Sequence, residues 1–278
     1  MKNARVLFIS QEITPYLPES ELSVIGRYLP QGIQDKGKEI RTFMPRFGSI
    51  NERRNQLHEV IRLSGMNLII SDTDHPLIIK VASIQSARMQ VYFIDNDDYF
   101  HRKNAITEDD GTYFPDNDER MIFFARGVLE TVRKLRWVPD IVHCHGWFTA
   151  AAPLYVKKAF KEDPIFSHSK VVYSVYNDEY PDTLAPSFKS KLLTEGVRGK
   201  DVELAATSSW ENVTKLALQY SDAAIIGSNT INPTISSFLE QYNKPVLGFE
   251  GPDTYLDAYS NFYDELINTT KTHGSTKK

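Results

Sequence analysis

The chain has 278 residues, enough to bury a full core, and is 41% hydrophobic, 24% charged and 12% aromatic, an ordinary composition for a globular protein. A net charge of -4 without a long basic run leaves no electrostatic footprint for nucleic acid, and no segment approaches the roughly 18 uncharged apolar residues of a membrane helix. One cysteine, Cys144, excludes an internal disulfide framework and fits a reducing cytoplasm.

The first unit reads strand, loop, helix, strand. Residues 5–10 (Arg-Val-Leu-Phe-Ile-Ser) form a short apolar run of the kind that becomes a buried parallel strand. The run is too short for a secretory apolar region and is cut by Gln11 and Glu12. Residues 11–20 carry Pro15 and Pro18 and are expected as a loop. Over residues 21–36, Leu22, Ile25, Leu29 and Ile33 fall at helical spacing, and Gly37 stands where a helix-ending glycine belongs. Residues 39–44 supply the next strand. A βαβ opening of this kind implies a parallel sheet with helices on its faces.

From Leu57 to Ile94 short apolar runs (68–70, 77–81 and 89–94) are separated by the turn-rich Ser71-Asp-Thr-Asp74, so a β-hairpin excursion is expected there. Residues 95–118 read as a long polar loop with aromatics, a class that is usually functional or mobile. Residues 118–136 are the clearest helix, striped by Met121, Phe124, Val128, Leu129, Val132 and Leu135. Residues 140–144 and 170–175 are two more buried strands, with a crossover helix expected over 150–160. Helix at 214–221, strand at 223–227, helix at 233–242 and strand at 244–249 follow, and residues 268–278 read as a disordered polar tail. The predicted architecture is α/β: a Rossmann-like doubly wound parallel sheet with a β-hairpin insertion.

Ligands of open parallel sheets bind beyond the carboxyl ends of the strands. The residues in that position are Gln11 and Glu12, then His143, His145 and Trp147, then Tyr176 and Asn177, then Ser228. A carboxylate, histidines, aromatics and an amide at one edge suit the hydroxyls and flat faces of a sugar. His143, inside an apolar strand, reads as a hydrogen-bonded core residue, whereas His145 at the strand exit suits binding or structure equally. Trp147 could offer its face to a sugar or fill the core. Cys144 reads as a small buried hydrophobe. The His143-x-His145 pair has no third ligand nearby in sequence, so no metal site is expected. Neither Gly-x-Gly-x-x-Gly, nor a P-loop, nor Gly-x-Ser-x-Gly occurs, and no cofactor is expected.

Six blocks in chain order go further. They are Val6-Leu-Phe-Ile-Ser-Gln-Glu12 with Pro15; Leu22-Ser-Val-Ile-Gly26 with Leu29-Pro30; and Val91-Tyr-Phe-Ile-Asp-Asn-Asp-Asp-Tyr-Phe100. Asn117-Asp-Glu-Arg-Met-Ile-Phe-Phe-Ala-Arg126, Pro139-Asp-Ile-Val-His-Cys-His-Gly-Trp-Phe-Thr149 and Tyr220-Ser-Asp-Ala-Ala-Ile-Ile-Gly-Ser228 complete the set. Together they resemble the starch synthase catalytic domain, the N-terminal half of bacterial glycogen synthases and plant starch synthases, from residue 5 to about 250. The resemblance implies the N-terminal half of a GT-B fold over residues 1–267. It also implies transfer of glucose from ADP-glucose or UDP-glucose to an α-1,4-glucan, with the donor held chiefly by a second domain. By the same resemblance His145 is a catalytic candidate, and Glu12, Trp147 and Asn177 are substrate-binding candidates.

Departures from the family pattern fall on the donor side. The family's Lys-[Thr/Val]-Gly-Gly loop is Pro18-Glu19-Ser20-Glu21 here, so a cation and bare backbone are replaced by two carboxylates. The aspartate of His-x-His-Asp-Trp-His is Gly146, and the last histidine is Phe148. The expectation is therefore an acceptor-side, glucan-holding half that needs a donor-domain partner. The alternative is a non-catalytic α-glucan-binding or regulatory domain.

Overall fold

A computed structural model describes residues 3–274, with side chains through residue 269. Strand β1 (Arg5–Ser10), helix α1 (Glu21–Asp35) and β2 (Glu39–Pro45) realise the expected βαβ opening. A single turn α2 (Glu52–Asn55), then β3 (His58–Glu59), β4 (Met66–Ile70), β5 (Thr73–Ile84) and β6 (Met89–Asp95) follow. The middle of the chain supplies α3 (Asp97–Phe100), α4 (Asn117–Lys134), β7 (Ile141–His145), α5 (Ala151–Lys157) and β8 (Lys170–Val175). The last part holds α6 (Phe188–Lys191), α7 (Trp210–Gln219), β9 (Ala223–Ile226), α8 (Pro233–Glu240), β10 (Val246–Leu247) and α9 (Tyr255–Gly274).

Among the described residues ten strands form one sheet in the order β10-β9-β8-β7-β1-β2-β6-β5-β3, with β4 paired to β5. Every pairing from β10 across to β6 is parallel. Only β5, with its neighbours β3, β4 and β6, pairs antiparallel. Residues 89–94 belong to both parts: β6 pairs antiparallel with β5 and parallel with β2, so it closes the expected excursion and returns the chain to the parallel core. The tip of the excursion is a two-residue turn in which Ser71 and Asp72 take φ of 50° and 62°. Positive φ at both central residues matches the strand twist of a tight hairpin.

α1 starts where Ser20 and Ser23 cap each other reciprocally, Ser20 Oγ accepting the Ser23 N–H at 3.0 Å and Ser23 Oγ the Ser20 N–H at 2.8 Å. Its apolar stripe, with Leu29 and Ile33, covers Val6, Phe8, Ile141 and Val172 of the sheet. α9 seals the rest of that face with Tyr259, Phe262, Tyr263 and Leu266, a helix the sequence analysis did not assign. Residues 268–274, expected in the polar tail, continue α9, and 275–278 lie outside the described residues. On the opposite face α4, α5 and α7 bury the larger core.

The expected long loop at 95–118 is ordered from below by Arg120. This fully buried guanidinium donates to the Tyr99 carbonyl (2.7 Å), the Asn117 amide oxygen (2.6 Å) and the Ala105 carbonyl (2.7 Å). Burial lowers its pKa to about 9, and the Phe100 and Phe114 rings flank it. The segment is thus fixed from below by a buried charge, and within itself by α3, the Arg102–Asp116 ion pair and the Thr107–Tyr113 bridge.

Candidate functional site

β1, β7 and β8 end level: Ser10 stands opposite His145, and His145 opposite Ser174. The residues that follow these strands therefore converge on one edge of the sheet. Gln11 leaves β1 and lays its side chain across the neighbouring exit, its Oε1 accepting the Phe148 N–H at 3.1 Å. Gly146 leaves β7 with φ of +88°, and a Cβ added there would meet the Gln11 side chain at 2.8 Å. The long residue at 11 and the absent side chain at 146 form one packed unit.

A hydrogen-bonded string joins several expected residues at this edge. Ser20 Oγ donates to the Glu12 carboxylate at 2.5 Å. Ser228 Oγ donates to Glu21 and accepts the Asn177 N–H at 3.0 Å. Glu12, Ser20, Glu21, Ser228 and Asn177, from four different segments, therefore share one cleft mouth, with Pro18 and Glu19 exposed at its rim. The positive end of the α1 dipole points into this region and already meets Glu12, through the capping Ser20, and Glu21 of the first turn. The adjoining cavity of about 570 Å³ is lined by Glu12, Glu19, Glu108 and Asp109 among others, and no lysine or arginine lines it.

His145 and Trp147 do not reach that mouth. Both are 1% exposed. Trp147 packs edge-on to Tyr180 (4.7 Å) and Phe148 (5.3 Å) in the core, so it presents no face for a sugar. His145 Nδ1 lies 2.8 Å from the Tyr176 hydroxyl, and its Nε2 is buried without a partner. Burial drives its pKa down to about 3, so near pH 7 the ring is the neutral imidazole, with one N–H, and no imidazolium is present to act as a general acid. His143 is the core residue expected: its two nitrogens meet the Tyr263 hydroxyl at 2.6 Å and Ser174 Oγ at 2.7 Å. Burial, and then the neighbouring His145, hold its pKa well below the usual range. Cys144 is buried, as expected.

Sequence reasoning passed over Asp178, one residue beyond Asn177. Its partly buried carboxylate accepts the Trp147 N–H at 2.8 Å and the Trp210 indole N–H at 3.2 Å. Burial nonetheless raises its pKa to about 7. Its signal in the sequence is a carboxylate just past a strand exit, outside all six family-like blocks. Beyond Asp178 a second groove, of about 690 Å³, runs between residues 110–117 and 180–186 and meets the first at Gly111.

For metals, ligand atoms of Glu52, Asp95 and His101 lie within 4.8 Å of one another. Lys80 Nζ stands 2.7 Å from Glu52 and 2.8 Å from Asp95, and Arg46 also pairs with Glu52. Carboxylates already neutralised by two cations make an ion-pair network rather than a metal cage.

Comparison with known proteins gives concordant matches. The family model of the starch synthase catalytic domain matches residues 5–242. A glycogen synthase from Chlorobium limicola is 37% identical over 197 residues, 70% of this chain and 40% of that protein. A glycogen synthase from Chlorobaculum parvum is 29% identical over 274 residues, 96% of this chain and 53% of that protein. The chain thus spans about half, or less, of the length of these relatives. The catalytic domain of starch synthase IV from Arabidopsis thaliana, solved with ADP and acarbose, superposes with a TM-score of 0.72 at 18% identity. That match covers 91% of this chain and 52% of the other, and it shows a shared fold.

Proposed function

The chain belongs to the starch synthase catalytic domain family, and from that premise we propose that it is the acceptor-side part of a glycogen- or starch-synthase-type glucosyltransferase. In this reading residues 1–267 form one domain that holds an α-1,4-glucan in the cleft of Glu12, Ser20, Glu21, Asn177 and Ser228. The observation that carries the reading is the composition of that cleft mouth: carboxylates, an amide and hydroxyls at level strand ends, with no lysine or arginine lining the adjoining cavity. Such a lining pairs with neutral sugar hydroxyls and repels a diphosphate. His145 serves as floor, holding Tyr176 beneath Asn177, rather than as a proton carrier.

Glucose transfer from ADP-glucose or UDP-glucose requires stabilisation of a leaving diphosphate by cations or free helix N-termini. At α1 that position is taken by Glu12 and Glu21. The donor groups therefore come from a further domain or a partner polypeptide, and turnover depends on it. The cytoplasm is the compartment this reading assigns, since a single cysteine offers no internal disulfide; no described helix is long and apolar enough to cross a membrane.

Glycogen co-sedimentation tests the acceptor assignment. Asn177→Ala and Glu12→Gln should each lower the bound fraction several-fold at unchanged melting temperature, since a hydrogen bond to a neutral or charged group contributes about 0.5–3 kcal/mol. Equal sedimentation of both variants and wild type would remove the glucan from this cleft. The second reading, a non-catalytic glucan-binding or regulatory domain, is favoured by Glu19 and Glu21 in the donor loop. Incorporation of labelled glucose into glycogen by the purified chain would decide against it.

A further inference from the structure

The chain after β8 hangs on two sets of contacts. Residues 180–186 are tied to the start of α7 by the Thr183–Ser209 bridge, and by the Leu184 N–H (3.1 Å) and Tyr180 hydroxyl (2.9 Å) donating to the Ser208 carbonyl. The Ser208 hydroxyl donates back to the Leu184 carbonyl at 3.0 Å. The indole N–H of Trp210, which opens α7, donates to Asp178 Oδ1 at 3.2 Å. These residues form one unit. The turn after β7 is another: the Thr149 N–H (3.0 Å) and hydroxyl (2.8 Å) close it on the Gly146 carbonyl, and Phe148 anchors it to Gln11. Among the described residues one hydrogen bond joins the two units, from the Trp147 N–H to Asp178 Oδ2 at 2.8 Å. The rings of Trp147 and Tyr180, 4.7 Å apart, add packing across the same joint.

Each oxygen of Asp178 thus holds one unit. An ionised carboxylate accepts at both oxygens, and such charge-assisted bonds are roughly twice as strong as neutral ones. A proton turns one oxygen into an O–H, so one of the two N–H groups loses its acceptor. The surroundings bring that exchange to neutral pH. Burial, with the Glu12 carboxylate adding to it, raises the Asp178 pKa to about 7 against the two N–H donors. The phenols of Tyr113, Tyr173 and Tyr180 also face it, and burial keeps all three protonated. From α7, Glu211 faces Tyr180. No lysine or arginine among the described residues offsets the charge of Asp178. A carboxylate that spans two units without a counter-ion is a joint that one proton can weaken.

We propose that Asp178 is a proton-operated latch: ionised, it locks residues 178–186 and the start of α7 to the turn after β7, and protonated, it lets the two units part. Residues 180–186 border the carboxyl-end face of the sheet, so the latch makes the shape of that face depend on pH. The latch is independent of which ligand the neighbouring cleft takes.

A pH titration of the full chain followed by NMR tests it, over a window of about pH 5.5 to 8.5 around neutrality. In wild type the Trp210 indole N–H and the Trp147 and Leu184 amides should shift together, with one midpoint near 7. The Trp137 indole is the internal control. It donates to Glu39, which despite partial burial is held below the usual carboxylate range by Trp137 and Arg5, so its signal should stay still. Asp178→Asn keeps an acceptor but no titrating group, and all three signals should become flat. Glu12→Gln leaves the latch and both donors in place and should lower the midpoint, since a like charge is removed. Flat signals in wild type, or shifts that persist in Asp178→Asn, overturn the latch. So does a midpoint unmoved in Glu12→Gln. Shifts at Trp147 and Trp210 with Leu184 unmoved would mean that the carboxyl group titrates without loosening residues 180–186, and the latch would again be wrong.

Discussion

Two imidazoles whose ring centres lie 3.9 Å apart, both buried, are held neutral by the fold. In the unfolded chain each takes up a proton near pH 6.5; in the fold His145 resists until about pH 3, and His143 is likewise depressed. Between those values the unfolded state binds more protons, so stability rises with pH and is lost on acidification below about 6.5. Each histidine contributes a slope of up to about 1.4 kcal/mol per pH unit in that window. The urea midpoint should fall between pH 7 and pH 5, and His145→Gln should fall less steeply while starting lower. An unchanged slope in that variant would show that His145 titrates normally in the fold. The side-chain alternation of a strand made it readable that His143 and His145 share a face. That the face is sealed was not readable, because the lid on His143 is Tyr263, 120 residues away. Gln11 and Gly146 tell the same story: each looks like an isolated departure, and only contact shows that one accommodates the other.

Elements with local signals were legible, and those defined by a partner were not. α1 has its cap and stripe within its own residues and runs within one residue of expectation. The 89–94 run is apolar either way; whether it pairs parallel with β2 or only within a hairpin is decided by β2. α9 carries Tyr255, Tyr259, Phe262, Tyr263 and Leu266 at helical spacing, diluted by polar neighbours, and it gains its meaning only as the cover of β1, β7 and β8. Denaturation measures that cover. Tyr263→Ala should cost roughly 3–5 kcal/mol as a large buried ring is lost. Tyr263→Phe should cost roughly 1–3 kcal/mol by leaving a His143 nitrogen unpaired. If Tyr263→Ala unfolds at the wild-type midpoint, α9 does not rest on the sheet in solution.

At the scale of the whole molecule, charge is distributed against the nucleotide-sugar donor. Glu12, Glu19, Glu108 and Asp109 line one opening of the carboxyl-end face, with Lys103 pairing Asp109 from outside the lining and Glu21 in the first turn of α1 nearby. A pair of like charges 4 Å apart costs about 1 kcal/mol in water and about 4 kcal/mol at the effective dielectric of a protein surface. A diphosphate entering this opening meets several such pairs, and the end of α1 that could offset them is already matched by Glu12 and Glu21. ADP-glucose and UDP-glucose should therefore show no micromolar binding to the chain by calorimetry. Any residual binding should strengthen with added salt, since screening relieves repulsion. Replacing Glu19→Lys together with Glu21→Gly exchanges two of these repulsions for one attraction and open backbone, and should raise the affinity measurably. Micromolar affinity in the unaltered chain would mean that the carboxylates are turned away from the donor path, and the acceptor-side assignment would then give way to a complete donor site on this face.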